Sequence, residues 1–275
     1  MKAKCQWFAA LFLSAALLMT GCTNTAAVSP SASSTLPSSS AQSPAPVELH
    51  VFAAASLTES LSAIQEHYRE TAPEISLVFN FDSSGTLQTQ IESGAEADIF
   101  FSAAQKQMNA LEESGYLADE TRKDLLVNKV VLIVPEESDK GITGFEDAAT
   151  DKVGLIALGN SDVPVGQYSQ EIFTSLGLWE QVFAKASLGT NVKEVLSHVE
   201  SASVDCGVVY ATDAATAKGV TIVAEAPQGS HSPVVYPAAV LKDSAQAKAS
   251  AAFLEYLSGA EAMKEFEAVG FSPAA

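Results

Sequence analysis

The 275-residue chain carries 33 acidic against 15 basic side chains, a formal net charge of −18. That balance argues against nucleic acid as a partner, because a polyanion needs a basic surface. Apolar residues make up 47% of the chain, enough for a sizeable core arranged as one large domain or two lobes.

The N-terminus reads as an address rather than as part of the fold. Lys2 and Lys4 precede an apolar run from Trp7 to Leu18, and "LMTGC" closes at Cys22. A basic start, a short apolar segment and small residues before a cut predict a signal peptide over residues 1–21. The run is too short to remain in a bilayer as a spanning helix. The cysteine directly after Thr20-Gly21 resembles a bacterial lipobox, with Met19 where leucine is commonest. The resemblance implies cleavage before Cys22, lipid on Cys22, and an extracytoplasmic protein anchored to the cell membrane. Residues 22–46 are rich in Ser, Ala, Thr and Pro and uncharged. Such a segment cannot bury enough apolar surface to fold; as a coil its ends lie roughly 25–30 Å apart. It reads as a tether. Cys206 is then the only cysteine of the body, so no internal disulfide is possible, and it reads as a small buried strand residue.

The body opens with a strand over Val47 to Ala53. An amphipathic helix follows, with Leu57, Leu61, Ile64 and Tyr68 at helical spacing. Ser56 with Glu59 three residues on reads as a capping box; equally, a helix N-terminus led by a serine is an anion site. "ISLVFNF" (Ile75 to Phe81) is a second strand, and "DSSGTLQTQIESG" a second helix stopped at Gly94. "ADIFFSA" is a short buried strand, and "QKQMNALEESG" a helix closed by Gly115. This strand–helix alternation predicts an α/β fold with parallel sheets flanked by helices. A helix is expected around Arg122 to Val127, then a buried strand, "KVVLIVP", where the chain leaves the first lobe. "KVGLIAL" is a strand, and Pro164 suits the first turn of the next helix. "GTNVKEVLSHVE" is a helix with Asn191 and Glu194 as its cap pattern. "CGVVYATDA" gives a strand ending at Tyr210, and "GVTIVAEA" another. "PVVYPAAVLK" is a long apolar strand placed to return the chain to the first lobe. Helices over Ala245 to Leu257 and Ala260 to Ala268 close the chain.

Four helix starts carry polar or amide-rich residues: Ser56, Ser83-Ser84-Gly85, Val163-Pro164-Val165 and Asn191-Val192. In open α/β sheets, ligands bind outside the carboxyl ends of the strands, where such helices begin. Phosphate-loop, dinucleotide and serine-hydrolase motifs are absent, and the four histidines lack metal-ligand spacing. Neither Arg69 nor Arg122 stands at a helix start, and the four starts read as free of lysine and histidine too. An acidic protein with such a site binds an anion through neutral dipoles, namely N–H groups, hydroxyls and helix N-termini. Such a site has no proton to exchange near neutrality.

"VFAAASLTESL", "SSGTLQTQIESGAEADIFFSA", "VPVGQY", "VKEVLSHVE" and "GVVYATDA", in this order, resemble the molybdate-binding proteins of ABC transporters. The resemblance runs from Val51 to about Phe271. It implies a two-lobed periplasmic-binding-protein fold of type II, each lobe a mostly parallel sheet flanked by helices, with the ligand in the interlobe cleft. On that pattern the first lobe covers 47–128, the second 129–232, and 233–275 returns to the first. The ligand residues it implies are Ser56, Ser84, the amides of Val165 and Val192, and the Tyr210 hydroxyl; Ser83 competes with Ser84 by one place. The implied role is capture of molybdate or tungstate by a monomer, with no cofactor and no catalysis, and delivery to ABC permease subunits. Two alternatives stand beside it. A sulfate or phosphate receptor would, for monoprotonated phosphate, need a buried acceptor, whereas Asp82, Asp162 and Asp205 read as loop or surface carboxylates. A serine-nucleophile enzyme would need a base that no motif supplies.

Overall fold

The computed structural model describes residues 46–274; the signal segment, Cys22 and all but the last residue of the tether lie outside the described residues. The first part of the body runs β1 (Val47–Ala54), α1 (Thr58–Thr71), β2 (Ile75–Asp82), α2 (Ser84–Glu92), β3 (Ile99–Phe101), α3 (Gln105–Glu113) and β4 (Lys123–Asn128). Next come β5 (Val130–Pro135), β6 (Ile156–Gly159), α4 (Pro164–Ser175), α5 (Trp179–Phe183) and β7 (Ala186–Gly189). They are followed by α6 (Val192–Glu200), β8 (Cys206–Tyr210), α7 (Ala211–Thr216) and β9 (Val220–Glu225). β10 (Val234–Val240), α8 (Ala247–Leu257), α9 (Ala260–Ala268) and β11 (Ser272–Pro273) end the chain.

The strands form two sheets, one per lobe, in the orders β11-β4-β10-β3-β1-β2 and β7-β6-β8-β5-β9. The chain changes sheet between Asn128 and Val130 and returns between Glu225 and Val234. Among the described residues, parallel pairing is confined to β2-β1-β3 and β7-β6-β8. Where mostly parallel sheets were expected, both are mixed. The strands that begin and end the crossings, β4, β5, β9 and β10, all pair antiparallel. The physical reason is that a strand arriving from the other lobe needs no crossover helix, so nothing forces it parallel.

Alternation along the strands sorts the core of the first lobe. Leu49, Val51 and Ala53 of β1 belong to a large cluster with Leu61 and Ile64 of α1 and Phe253 of α8. Phe52 and Phe100 join a second cluster with Leu87 and Ile91 of α2 and Met108 and Leu111 of α3. Successive side chains of a strand leave on opposite faces, which puts helices on both sides of the sheet. Val195, Leu196 and Val199 give α6 its buried face against β6 and β8. Cys206 is buried in β8, and burial pushes its thiol up to about 12.

The expected helix around Arg122 to Val127 is instead the strand β4. Leu125 and Leu126 are both buried there, and the segment lies between β10 and β11. Pairing on both edges decided a stretch whose own pattern was short. α5, α7, β7 and β11 are further elements absent from the sequence reading.

Candidate functional site

Every residue expected at the site stands at the carboxyl end of a strand. β1 runs into a 3-10 turn, Ala55–Leu57, that carries Ser56. β2 runs into α2, of which Ser84 is the first residue. β6 leads to α4 with Pro164 at its start and Val165 next; β7 leads to α6, whose first residue is Val192. Tyr210 ends β8 and precedes α7. β1 pairs with β2, and β6 lies between β7 and β8, so these ends share one edge of each sheet.

Contacts between the lobes then draw the starts together. The Gly85 N–H donates to the Asp162 carbonyl at 3.0 Å, joining the start of α2 to the loop before α4. Only glycine permits this approach, since a Cβ there would lie 2.3 Å from the same oxygen. Asn191 Nδ2 lies 3.4 Å from Asp82 Oδ1, joining the start of α6 to that of α2. Lys193 Nζ donates to both Glu59 oxygens at 2.9 and 2.8 Å, joining α6 to α1. Its other carboxylate is Asp213 of α7, with Oδ1 at 2.9 Å.

The hydroxyls are each held differently. The expected capping box at Ser56 does not form. The 3-10 turn displaces the start of α1 to Thr58, and no side chain caps it. Ser56 Oγ lies instead 2.9 Å from Tyr236 Oη, buried, and Glu59 turns to Lys193. Ser83 does cap α2: it accepts from the Thr86 N–H at 3.1 Å and donates to Thr86 Oγ1 at 2.8 Å. Ser84, fully buried, accepts the Ala103 N–H at 2.9 Å, so its own O–H remains to donate. Tyr210 is packed between the rings of Tyr168, at 6.4 Å, and Tyr236, at 5.7 Å. Its hydroxyl is buried without a hydrogen-bond partner among the described residues. Burial raises its pKa well above the usual tyrosine value, so it is a donor. Val165 and Val192 sit in the first turns of α4 and α6, where N–H groups have no acceptor within the helix. Asn191 caps α6 through the Glu194 N–H at 3.1 Å, as its spacing predicted.

A family model described as bacterial extracellular solute-binding protein matches residues 49–272. The chain belongs to that family. Molybdate-binding protein ModA of Haemophilus influenzae is 40% identical over 232 residues, covering 83% of this chain and 91% of that protein. A Bacillus subtilis protein provisionally named ABC transporter substrate-binding lipoprotein YvgL is 41% identical over 261 residues, covering 94% and 95%. The periplasmic molybdate-binding protein of Azotobacter vinelandii superposes with a TM-score of 0.74 at 22% identity, covering 82% of this chain and all of that one, a likeness of fold. The two-lobed fold expected from the sequence is therefore that of a solute-binding protein, and the molybdate-binding members are its relatives.

Three groups near the cleft of this solute-binding protein escaped the sequence reading. Lys193 stands beside Val192, so one of the four helix starts does carry a cation. Burial works against its charge, but Asp213 and Glu59 more than offset this and raise its pKa. With both carboxylates ionised the trio sums to one negative charge, so it adds no free cation to the site. Asp213 is a buried carboxylate three residues beyond Tyr210. Burial pushes its pKa up to about 6 against the pull of Lys193, so a group close to the site does titrate near neutrality. Tyr236 was read only as part of an apolar strand. A lone hydroxyl in "PVVYPAAVLK" was the available signal, and it is a weak one.

Proposed function

We propose that this protein captures molybdate, and tungstate with it, in the cleft between its lobes and delivers it to the permease of an ABC transporter. Ser56, Ser84 and Tyr210 give hydroxyl donors; Val165 and Val192 give amides. The observation that carries the reading is the Tyr210 hydroxyl. A buried donor without a partner costs about 1–3 kcal/mol, and an oxyanion bound beside it would supply the acceptor. The identity to ModA of Haemophilus influenzae supports molybdate as that anion. Ser84 is favoured over Ser83 because the Ser83 hydroxyl is engaged in the α2 cap. A catalytic serine is disfavoured, since Ser56 faces a phenol and Ser84 a backbone N–H, and neither is a base. The protein acts as a monomer on the outer face of the cell membrane, held by lipid on Cys22. The name of the Bacillus subtilis relative supports that anchor.

Calorimetric titration tests the site. Ser56→Ala, Ser84→Ala and Tyr210→Phe should each weaken molybdate binding by about 1.5–3 kcal/mol, roughly ten- to a hundredfold. Unchanged affinity in all three rejects it. Inorganic phosphate as competitor tests the rival receptor reading, because a protonated anion would need a buried acceptor and Asp213, three residues beyond Tyr210, is a buried carboxylate. For the anchor, Cys22→Ala should leave the membrane fraction or remain unprocessed; fractionation and migration like wild type would remove the lipid from the account.

A further inference from the structure

Ser56 can donate to an anion only if its one hydrogen is not already given elsewhere. The residues behind it decide this. Asn128 Oδ1 accepts the N–H of Lys129 at 2.8 Å, which fixes the amide so that Nδ2 faces the other way. Nδ2 donates to Thr212 Oγ1 at 2.9 Å and to Tyr236 Oη at 3.3 Å. Tyr236 is fully buried, and burial raises its pKa well above the usual value, so it keeps its proton. A phenol has one hydrogen to give. With Asn128 as donor to its oxygen, the Tyr236 O–H has Ser56 Oγ as its hydrogen-bonding acceptor among the described residues, at 2.9 Å. Were Ser56 the donor instead, the buried Tyr236 O–H would be left without an acceptor among the described residues; with Tyr236 donating, Ser56 accepts from the protein and its own hydrogen is left over. Ser84 reaches the same state by accepting the Ala103 N–H.

We propose that Tyr236, oriented by Asn128, is a positioning and specificity-determining residue that locks Ser56 as a donor. The proposal rests on the reading of Ser56 as a ligand residue. The chain of hydrogen bonds runs one way: Asn128 N–H to Tyr236, Tyr236 O–H to Ser56, Ser56 O–H to the ligand. An anion oxygen without a proton completes it. A protonated oxygen, as on hydrogen phosphate, would set its hydrogen against that of Ser56; Ser56 could accept it on a second lone pair while keeping the bond from Tyr236, but its own buried O–H would then have no acceptor among the described residues. Asn128 ends β4 and Tyr236 lies in β10, at the place where the chain passes between the lobes. The lock is thus built into the first lobe's connecting strands rather than into the ligand helices.

The test is a double-mutant cycle between Tyr236→Phe and Ser56→Ala, titrated with molybdate and with inorganic phosphate at pH 7. Tyr236→Phe keeps the ring and its packing against Tyr210 and Phe271. It should weaken molybdate binding about three- to tenfold and leave phosphate unchanged or tighter, so that the preference falls by at least about threefold. In the Ser56→Ala background the same change should move molybdate affinity by less than about twofold, because the residue acts through Ser56. An equal effect in both backgrounds would make Tyr236 a packing residue and overturn the lock, as would an unchanged preference. If phosphate binding is too weak to measure throughout, the molybdate cycle alone decides. If Tyr236→Phe fails to melt cooperatively, Asn128→Ala, which frees the phenol to point either way, is read by the same criteria. Failure of the two readings can be told apart. Ser56→Ala without effect removes Ser56 from the ligand set, and the lock with it. Ser56→Ala weakening binding while Tyr236→Phe does nothing removes the lock alone.

Discussion

In the proposed site the first lobe brings side chains to the cleft, and the second brings mostly backbone. On the proposed reading, Ser56 and Ser84 are hydroxyls whose oxygens are already engaged by Tyr236 and the Ala103 N–H. Val165 and Val192 are N–H groups at helix starts, fixed by the helices themselves. Charge is divided as unevenly. Glu59, in the first lobe, is 42% exposed, while Asp213, in the second, is fully buried, and Lys193 touches both. The first lobe's half of the site can therefore be dismantled one group at a time. In the second lobe the amides belong to the helices themselves, and only Tyr210 is a side chain that can be trimmed.

The sharpest test of that contrast is at Lys193. Lys193→Met strands the Asp213 carboxylate in the interior and should cost about 3 kcal/mol in denaturant unfolding, at the low end for a buried pair because the lysine is partly exposed. Glu59→Gln, on the exposed side of the same trio, should cost at most about 1 kcal/mol. Equal losses would show that the two carboxylates are not in different environments.

Asp213 also gives the second lobe its own pH signature. Its native pKa of about 6 lies above the unfolded value of about 3.9, so between these the native state binds the extra proton. The contribution of this group is full below the unfolded value and is lost as pH rises through about 6. It amounts to up to about 3 kcal/mol. Melts of wild type and Asp213→Asn at pH 4, 6 and 8 should show wild type gaining on the variant as pH falls. A gap independent of pH would mean that Asp213 titrates alike in both states.

The amide donors can be tested by a substitution that removes an N–H without breaking a helix. Val192 is the first residue of α6, and Asn191 before it is extended at φ −153 and ψ 172, a conformation that proline accepts in its neighbour. Val192→Pro should weaken molybdate binding by about 1.5–3 kcal/mol, and Val192→Ala, which keeps the N–H, by under about 0.5 kcal/mol. If both variants bind like wild type, the amide is not a ligand.

How much of this was legible in the sequence follows the range of the forces involved. The cap at Asn191, the proline at the start of α4 and the C-terminal helix over Ala260–Ala268 depend on neighbours a few residues away, and periodicity or spacing showed them. Ser56 was misread in its local role because its partner, Tyr236, lies 180 residues on. β4 was misread because its pairing with β10 outweighed a short, charged pattern around Arg122. Lys193 was overlooked for a subtler reason. Its letter stands next to a proposed ligand position, but only the fold shows its ammonium turned to two carboxylates from different elements.

The position of β10 has a consequence in time. It lies between β4 and β3, so the first lobe's sheet is two separate pieces until residues 234–240 exist. All strands of the second sheet fall within the continuous stretch from Val130 to Glu225. As the chain emerges during synthesis or export, the second lobe can finish first, while β1, β2 and β3 wait for a strand made more than a hundred residues after β3. A nascent chain halted before Val234 holds one completed lobe and one divided sheet, with the edges of β3 and β4 unpaired and open to other chains.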